Sequence, residues 1–380
     1  MTIHWCGTGL SAIPGLRRLI EAEHPVTVWN RTTDKAREAV GDLTSDIRAF
    51  DMDALKAELK AGDVVVSMLP GDWHVPLAEA AIDAGAHFVS SSYIAPEMRA
   101  LDDKAKAAGV SLVNEVGLDP GIDHLMAHKI VADYRASDAY DPANAISFTS
   151  YCGGIPKEPN PFRYKFSWSP LGVLKALRSP SRSIRDFEEL RVNRPWDAIS
   201  SYDAPLPQPE TFEVYPNRDS VPFMADYGFG EAWQVRTFVR GTLRLDGWTE
   251  AWTPVFREIE TLEGPEGEAR LKEMSDQFWK DNAYAEGEAD RVVLCVSLLA
   301  EKDGAPVFHE TYVMDAWGDE DGTAMARLVS IPVSLAVEAV ITREIGAGVS
   351  PAPHDPKLVD RFLAEVDRLA QHLQLVDHLK

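Results

Sequence analysis

Ile3-His4-Trp5-Cys6-Gly7-Thr8-Gly9-Leu10-Ser11-Ala12-Ile13-Pro14 joins an apolar strand to a glycine-spaced turn and the start of a helix. That context turns a short glycine pattern into a dinucleotide signature. Gly7 permits the tight turn, Gly9 lets the backbone approach a pyrophosphate, and the small Ala12 lets helix pack on strand. Leu10 and Ser11 lie in the same turn. The helix N-terminus offers N–H groups and a partial positive charge to phosphate. Pro14 falls in the first turn, where a missing N–H costs little. The second strand ends Asn30-Arg31-Thr32. An NAD site places an acid here for the adenosine ribose; Arg31 instead offers a guanidinium suited to a 2′-phosphate. NADP(H) is therefore favoured over NAD(H).

The alternation continues outward from this loop. Residues 10–23 read as a helix, 26–30 as a strand, 33–40 as a helix and 64–70 as a buried strand ending in proline. Residues 73–84 read as a helix. Residues 87–91 and 110–113 read as short strands with a helix over 97–108 between them. Such alternation predicts an α/β fold with a parallel sheet, a Rossmann domain over residues 1–120. From Gly121 the character changes: prolines and aromatics rise, and 145–151 alternates like a strand. An inserted α+β substrate domain is expected over 121–327. The apolar helical stretch 328–345 opens a C-terminal segment, 328–380, expected to return to the first domain.

The 380 residues carry 38 Lys and Arg against 60 Asp and Glu, a formal net charge of −22. So acidic a chain is a poor partner for nucleic acid or an anionic membrane surface. No window approaches about 20 consecutive apolar residues, which argues against a spanning helix. The N-terminus has no basic start, and the three cysteines, Cys6, Cys152 and Cys295, are far apart and odd in number. A disulfide framework is not expected, and a cytoplasmic location is. Charge is uneven along the chain. Residues 157–194 hold nine cations and four acids, and are a candidate to face an anionic ligand. Residues 246–290 hold four cations and thirteen acids, as in a solvated helical surface.

Longer motifs then follow in order: Gly9-Leu10-Ser11-Ala12-Ile13-Pro14, Ser90-Ser91-Ser92-Tyr93-Ile94-Ala95-Pro96, Asn114-Glu115-Val116-Gly117-Leu118-Asp119-Pro120-Gly121-Ile122-Asp123-His124, Ser150-Tyr151-Cys152-Gly153-Gly154-Ile155-Pro156, Tyr164-Lys165-Phe166-Ser167-Trp168-Ser169, Tyr215-Pro216-Asn217-Arg218-Asp219-Ser220 and Arg240-Gly241-Thr242-Leu243-Arg244. Together they closely resemble the saccharopine reductase family, the glutamate-forming saccharopine dehydrogenases. The similarity covers most of the chain and weakens between about Trp252 and Asp290, where a helical third domain of longer members looks reduced or absent. The resemblance implies condensation of aminoadipate semialdehyde with glutamate and reduction of the imine by NADPH, or the reverse. It also implies dinucleotide contacts at Gly9, Leu10, Ser11, Ala12, Asn30, Arg31, Thr32, Ser91 and Ser92, with Leu118, Asp119 and Pro120 near the nicotinamide. Substrate contacts would be Ser92, Tyr93, Arg218, Thr242, Leu243 and Arg244.

The chemistry asks for such residues. A tricarboxylate amino acid needs local cations on an acidic protein, and Arg218, Arg244 and then Lys165 or Arg163 are the candidates. Imine formation needs a proton shuttle, for which Asp119, Cys152 and Tyr93 stand in motif positions. The bland alternatives are an N-cap carboxylate for Asp119 and a small buried hydrophobe for Cys152. His124 and His128 share a helix face, but Leu125 stands where a metalloprotease has glutamate, so no metal is expected. Two other functions fit the same signature. One is a reductase of a related amino-aldehyde imine, such as carboxynorspermidine dehydrogenase. The other is a dinucleotide-binding regulatory protein without turnover. A homodimer would be ordinary for an enzyme of this kind.

Overall fold

Seven short strands form a parallel sheet, the central ones from apolar runs covered on both faces. In the computed structural model, which describes Met1–Lys380, these are β1 (Ile3–Cys6), β2 (Val26–Asn30), β3 (Ile47–Ala49), β4 (Val64–Ser67), β5 (His87–Ser90), β6 (Ser111–Val113) and, late in the chain, β15 (Gly348–Ser350). Their order is β15-β6-β5-β4-β1-β2-β3, with every neighbouring pair parallel. This is the doubly wound arrangement, and the strand order reverses between β1 and β4, where such sheets open a ligand crevice at their C-terminal ends. The sheet belongs to a unit made of Met1–Leu125 and Met325–Val366.

The second unit is Met126–Ala324 with Asp367–Lys380. Its strands are β7 (Ala145–Pro156), β8 (Ser181–Arg185), β9 (Glu188–Val192), β10 (Ser200–Ala204), β11 (Glu210–Pro216), β12 (Gln234–Leu245), β13 (Asp290–Lys302), β14 (Ala305–Trp317) and β16 (His372–Asp377). The order is β10-β11-β12-β7-β13-β14-β16, with the β8–β9 hairpin hung on β12. Only β12 and β7 run parallel among these neighbours. One face buries Ile155, Phe212, Val214, Leu243, Leu245, Val293 and Val313. Because side chains alternate along a strand, Cys152, Thr242 and Arg244 lie on the opposite face.

Several boundaries differ from those read in the sequence. The first helix is Ile13–Glu21 and not 10–23, because Ala12 N–H closes a turn on Gly9 O at 3.1 Å. The stretch 97–108 breaks into Pro96–Arg99 and Asp102–Ala108. The acidic region after Asp246 is not merely a solvated surface. Its helix Trp248–Glu260 buries Trp248, Trp252 and Phe256, four residues apart, against Tyr164 and Phe166. The C-terminal segment does not return whole to the first unit, since β16 pairs with β14 from Glu310↔Asp377 to Asp315↔His372. The helix Ala324–Ile341 is apolar enough to cross a membrane by composition, with mean hydropathy 1.7, yet 83% of it is buried within the protein.

That helix packs on Ile13–Glu21 at Gly15. A Cβ on Gly15 would fall 1.9 Å from the Ser330 carbonyl oxygen, and the Gly15 N–H donates to Ser330 Oγ at 2.8 Å. Gly15→Ala is therefore expected to destabilise the protein by about 1–3 kcal/mol or more. Scanning calorimetry checks this, and an unchanged Tm would mean the two helices are not pressed together here.

Candidate functional site

The turn after β1 is built around Gly7, whose φ is +104°. A Cβ there would lie 2.8 Å from the Met68 carbonyl oxygen, so only glycine fits. A Cβ on Gly9 would meet nothing within 4 Å. The protein itself does not demand glycine at this position, and close approach by a ligand is the reason that remains. Leu10, at 56% exposure, is an uncovered apolar side chain in the same turn, with Ser11 half-buried and Ala12 buried beside it. Asn30 fastens the turn: its Oδ1 accepts from Thr8 N–H at 3.2 Å and its Nδ2 donates to Thr32 O at 2.8 Å. Its amide is thus engaged by the protein on both atoms. Arg31 and Thr32 are exposed at the end of β2. These features fit a dinucleotide: an open glycine, a helix N-terminus and an exposed guanidinium next to them.

Ser91, Ser92 and Tyr93 follow β5. Tyr93 Oη donates to Asp119 Oδ1 at 2.9 Å. Asp123, in the first turn of the helix Ile122–Ala136, accepts from Gly121 N–H at 2.7 Å. Leu118 and Pro120, on either side of Asp119, are buried. Glu115 grips both neighbours of Tyr93. Its N–H donates to Ser92 O at 3.1 Å and its Oε1 accepts from Ile94 N–H at 2.8 Å. Glu115 Oε2 also stands 3.2 Å from His124 Nε2, off the line of a good hydrogen bond. His128 instead meets Tyr227 edge-on at 5.5 Å, so the two imidazoles have different neighbours.

Sequence reasoning missed His74. Its Nδ1 is 2.8 Å from Ser67 Oγ and its Nε2 is 2.8 Å from Ser92 Oγ. Burial lowers its pKa to about 4. The available signal was weak: one histidine after a Pro70-Gly71 turn at the end of a buried strand, in no motif spacing.

In the second unit the unusual group is Arg244. It is 5% exposed, and its guanidinium carbon lies 4.7 Å from the Tyr164 ring, 5.4 Å from Trp248 and 5.6 Å from Tyr215. Nη1 donates to Leu243 O at 3.2 Å, and Nε meets no acceptor. The buried Trp248 Nε1 is likewise without a partner. Glu213, the acid opposite Arg244 in register, is turned to the next helix and accepts from Gly247 N–H at 3.2 Å and from Thr249 N–H at 2.7 Å. Thr242 pairs with Tyr215 on one side and Cys152 on the other, so all three share one face of the sheet. Leu243 points the other way into the core, and only its backbone remains for a ligand.

Arg218 is exposed in a left-handed turn, φ +54°, just past β11. Asn217 N–H still bonds Arg240 O at 2.9 Å, so Arg218 sits near the level of Arg240. That is four residues, roughly 13 Å, along β12 from Arg244. Lys165 is paired with Glu288, and Arg163 lies against Gly247. The basic stretch is largely neutralised: Arg178 meets Glu268, Arg182 meets Asp219, Arg191 meets Glu189 and Arg194 meets Asp197. It is not a free cationic surface.

Residues 7–113 match the saccharopine dehydrogenase NADP binding domain, and residues 117–369 match the saccharopine dehydrogenase C-terminal domain. The chain is 37% identical over 251 residues to saccharopine dehydrogenase [NADP(+), L-glutamate-forming] of Pyricularia oryzae, covering 64% of this chain and 54% of that protein. It is 36% identical over 224 residues to alpha-aminoadipic semialdehyde synthase of Arabidopsis thaliana, covering 56% of this chain and 20% of that protein. The chain thus spans about half of the first relative and a fifth of the second. The apo saccharopine dehydrogenase (L-Glu forming) structure from Saccharomyces cerevisiae superposes with TM-score 0.80 at 26% identity, covering 99% of both chains.

A buried cation without a counter-ion destabilises the ligand-free protein. Arg244→Met, which keeps the bulk and removes the charge, is expected to raise the Tm of the ligand-free protein while abolishing anion binding. Differential scanning fluorimetry checks the first half; a lowered Tm would mean that the aromatic contacts outweigh the lost solvation.

Proposed function

The chain belongs to the saccharopine dehydrogenase family, and on that premise we propose that it interconverts saccharopine with L-glutamate and aminoadipate semialdehyde using NADP(H). The observation that carries this reading is Arg244, a guanidinium held out of water in an aromatic recess with an unsatisfied Nε. Such a group calls for an anion from outside the chain. A carboxylate matches it in charge and in planar shape.

The reaction joins the glutamate amine to the aldehyde with loss of water, and the imine then takes a hydride at carbon and a proton at nitrogen. The dinucleotide, when bound, supplies that hydride or receives it in reverse. Gly9, the helix Ile13–Glu21 and Arg31 would hold its phosphates. Arg244 would anchor one carboxylate, and Arg218, about 13 Å along the strand, a second. Each charged hydrogen bond contributes about 1.5–3 kcal/mol, so two or three supply most of a micromolar affinity. Asp119, holding the Tyr93 hydroxyl, is the group we assign to proton traffic during carbinolamine formation and dehydration. Cys152 lies beside Thr242 on the sheet face with Arg244 and is the second candidate. The three cysteines are free and buried, and a cytoplasmic setting is part of the proposal.

The direct test is incubation with saccharopine and each oxidised cofactor, with glutamate and reduced nicotinamide measured together. Glutamate without reduced nicotinamide, or neither, would rule the reaction out. Arg218→Ala is expected to raise the KM for saccharopine about tenfold or more while leaving that for NADP+ nearly unchanged; an unmoved saccharopine KM removes Arg218 from the substrate site. Arg31→Asp is expected to shift preference toward NAD+, read as the ratio of kcat/KM for the two cofactors. An unaltered ratio refutes the 2′-phosphate assignment.

A further inference from the structure

Ser67 closes β4 and Ser92 follows β5, and the ring of His74 joins them with contacts of 2.8 Å at each nitrogen. The imidazole is buried and meets Phe88 edge-on at 6.5 Å, so it is held on its flanks as well as at its nitrogens. With its pKa lowered to about 4 by burial, the ring is neutral in working solution. A neutral imidazole has one N–H and one lone pair. The line of three groups therefore has a direction. Running from Ser67 to Ser92, Ser67 donates to Nδ1, Nε2–H donates to Ser92 Oγ, and the Ser92 hydroxyl hydrogen is left to donate outward. Running the other way, Ser92 gives its hydrogen to the ring and has only lone pairs to offer. Hydrogen bonds aligned head to tail strengthen one another, and an anion in front of Ser92 selects the first direction.

We propose that His74 is a positioning residue that sets Ser92 as a hydrogen-bond donor to an anionic group of the bound reactants, with Ser67 fixing the tautomer. This rests on the function proposed above, in which both reactants are anionic: the acceptor is a substrate carboxylate or a dinucleotide phosphate.

The test measures dissociation constants for NADPH and for saccharopine separately, by calorimetry. It uses the wild type, His74→Asn, His74→Gln, Ser92→Ala and the double variant His74→Asn/Ser92→Ala. The asparagine amide reaches about as far as Nδ1, and the glutamine amide about as far as Nε2. His74→Asn and Ser92→Ala are each expected to weaken one ligand about tenfold. The double variant is expected to be no weaker than either, because both remove the same contact. His74→Gln is expected to stay within about threefold of the wild type. Loss confined to saccharopine identifies a carboxylate, and loss confined to NADPH identifies a phosphate. Unchanged constants in every variant overturn the proposal, as do equal losses in the two histidine variants with additive losses in the double one. Should His74→Asn fail to fold, Ser67→Ala removes only the hydroxyl on Nδ1: a weakening of threefold or more supports the line, and no change overturns it. A wild type that binds both ligands without turnover overturns the proposed reaction and leaves the role of His74 to be read from binding. A wild type that binds neither overturns both.

Discussion

A guanidinium taken out of water and given no carboxylate is costly, and the second sheet is arranged around keeping Arg244 in that state. The register places Glu213 directly opposite, close enough for an ion pair. The helix Trp248–Glu260 diverts that carboxylate to its own N-terminus through Gly247 and Thr249. Capping one helix therefore leaves one cation unpaired. Tyr164, Tyr215 and Trp248 stabilise the charge partly through their ring faces. They are poor substitutes for a carboxylate, and their weakness leaves a large share of the interaction for a ligand.

The first unit uses a different device. Its polar groups near the strand ends are mostly neutral or paired: Asn30 on Thr8 and Thr32, Tyr93 on Asp119, His74 between two serines. On the proposed function, such a lattice binds through direction more than charge. Glu115 illustrates the point, since one residue fixes the backbone on both sides of Tyr93 and so aims the phenol at Asp119. Groups held this rigidly lose little entropy when a ligand arrives.

The sequence made the first sheet legible because both of its signals are local. Valine runs mark β2 and β4, and the glycine turn marks the switch point, all within a few residues. β3 and the helix Met52–Glu58 were not read, because Ile47-Arg48-Ala49 is a short, half-exposed edge strand with no apolar run. β16 was not read because His372–Asp377 alternates weakly and has its partner, β14, more than fifty residues away. Among candidate site residues, those in long motifs were named in advance. His74 was not, since a histidine that works through two serines from two strands has no spacing to betray it. Leu243 shows the opposite failure: a motif names a stretch, and alternation along the strand then sends one member to the core.

Local charge counting misled for a related reason. Residues 157–194 stand out as basic in a chain of net charge −22, and that contrast invites an anion there. Folding answers it first: acids from elsewhere in the chain, Glu260, Glu268 and Glu288 among them, come to Arg194, Arg178 and Lys165. In an acidic protein, an exposed cation finds a neighbouring carboxylate by default, and each such pair contributes little to stability. The informative cation is one that stays buried while the acid opposite it in register is held by other donors. Arg244 lies outside the basic stretch, on β12, whose sequence carries Arg236, Arg240 and Arg244 but does not tell them apart. On the proposed function, a chain this acidic makes an anion site by withholding carboxylates from one position, and that is visible only when pairing across strands is known.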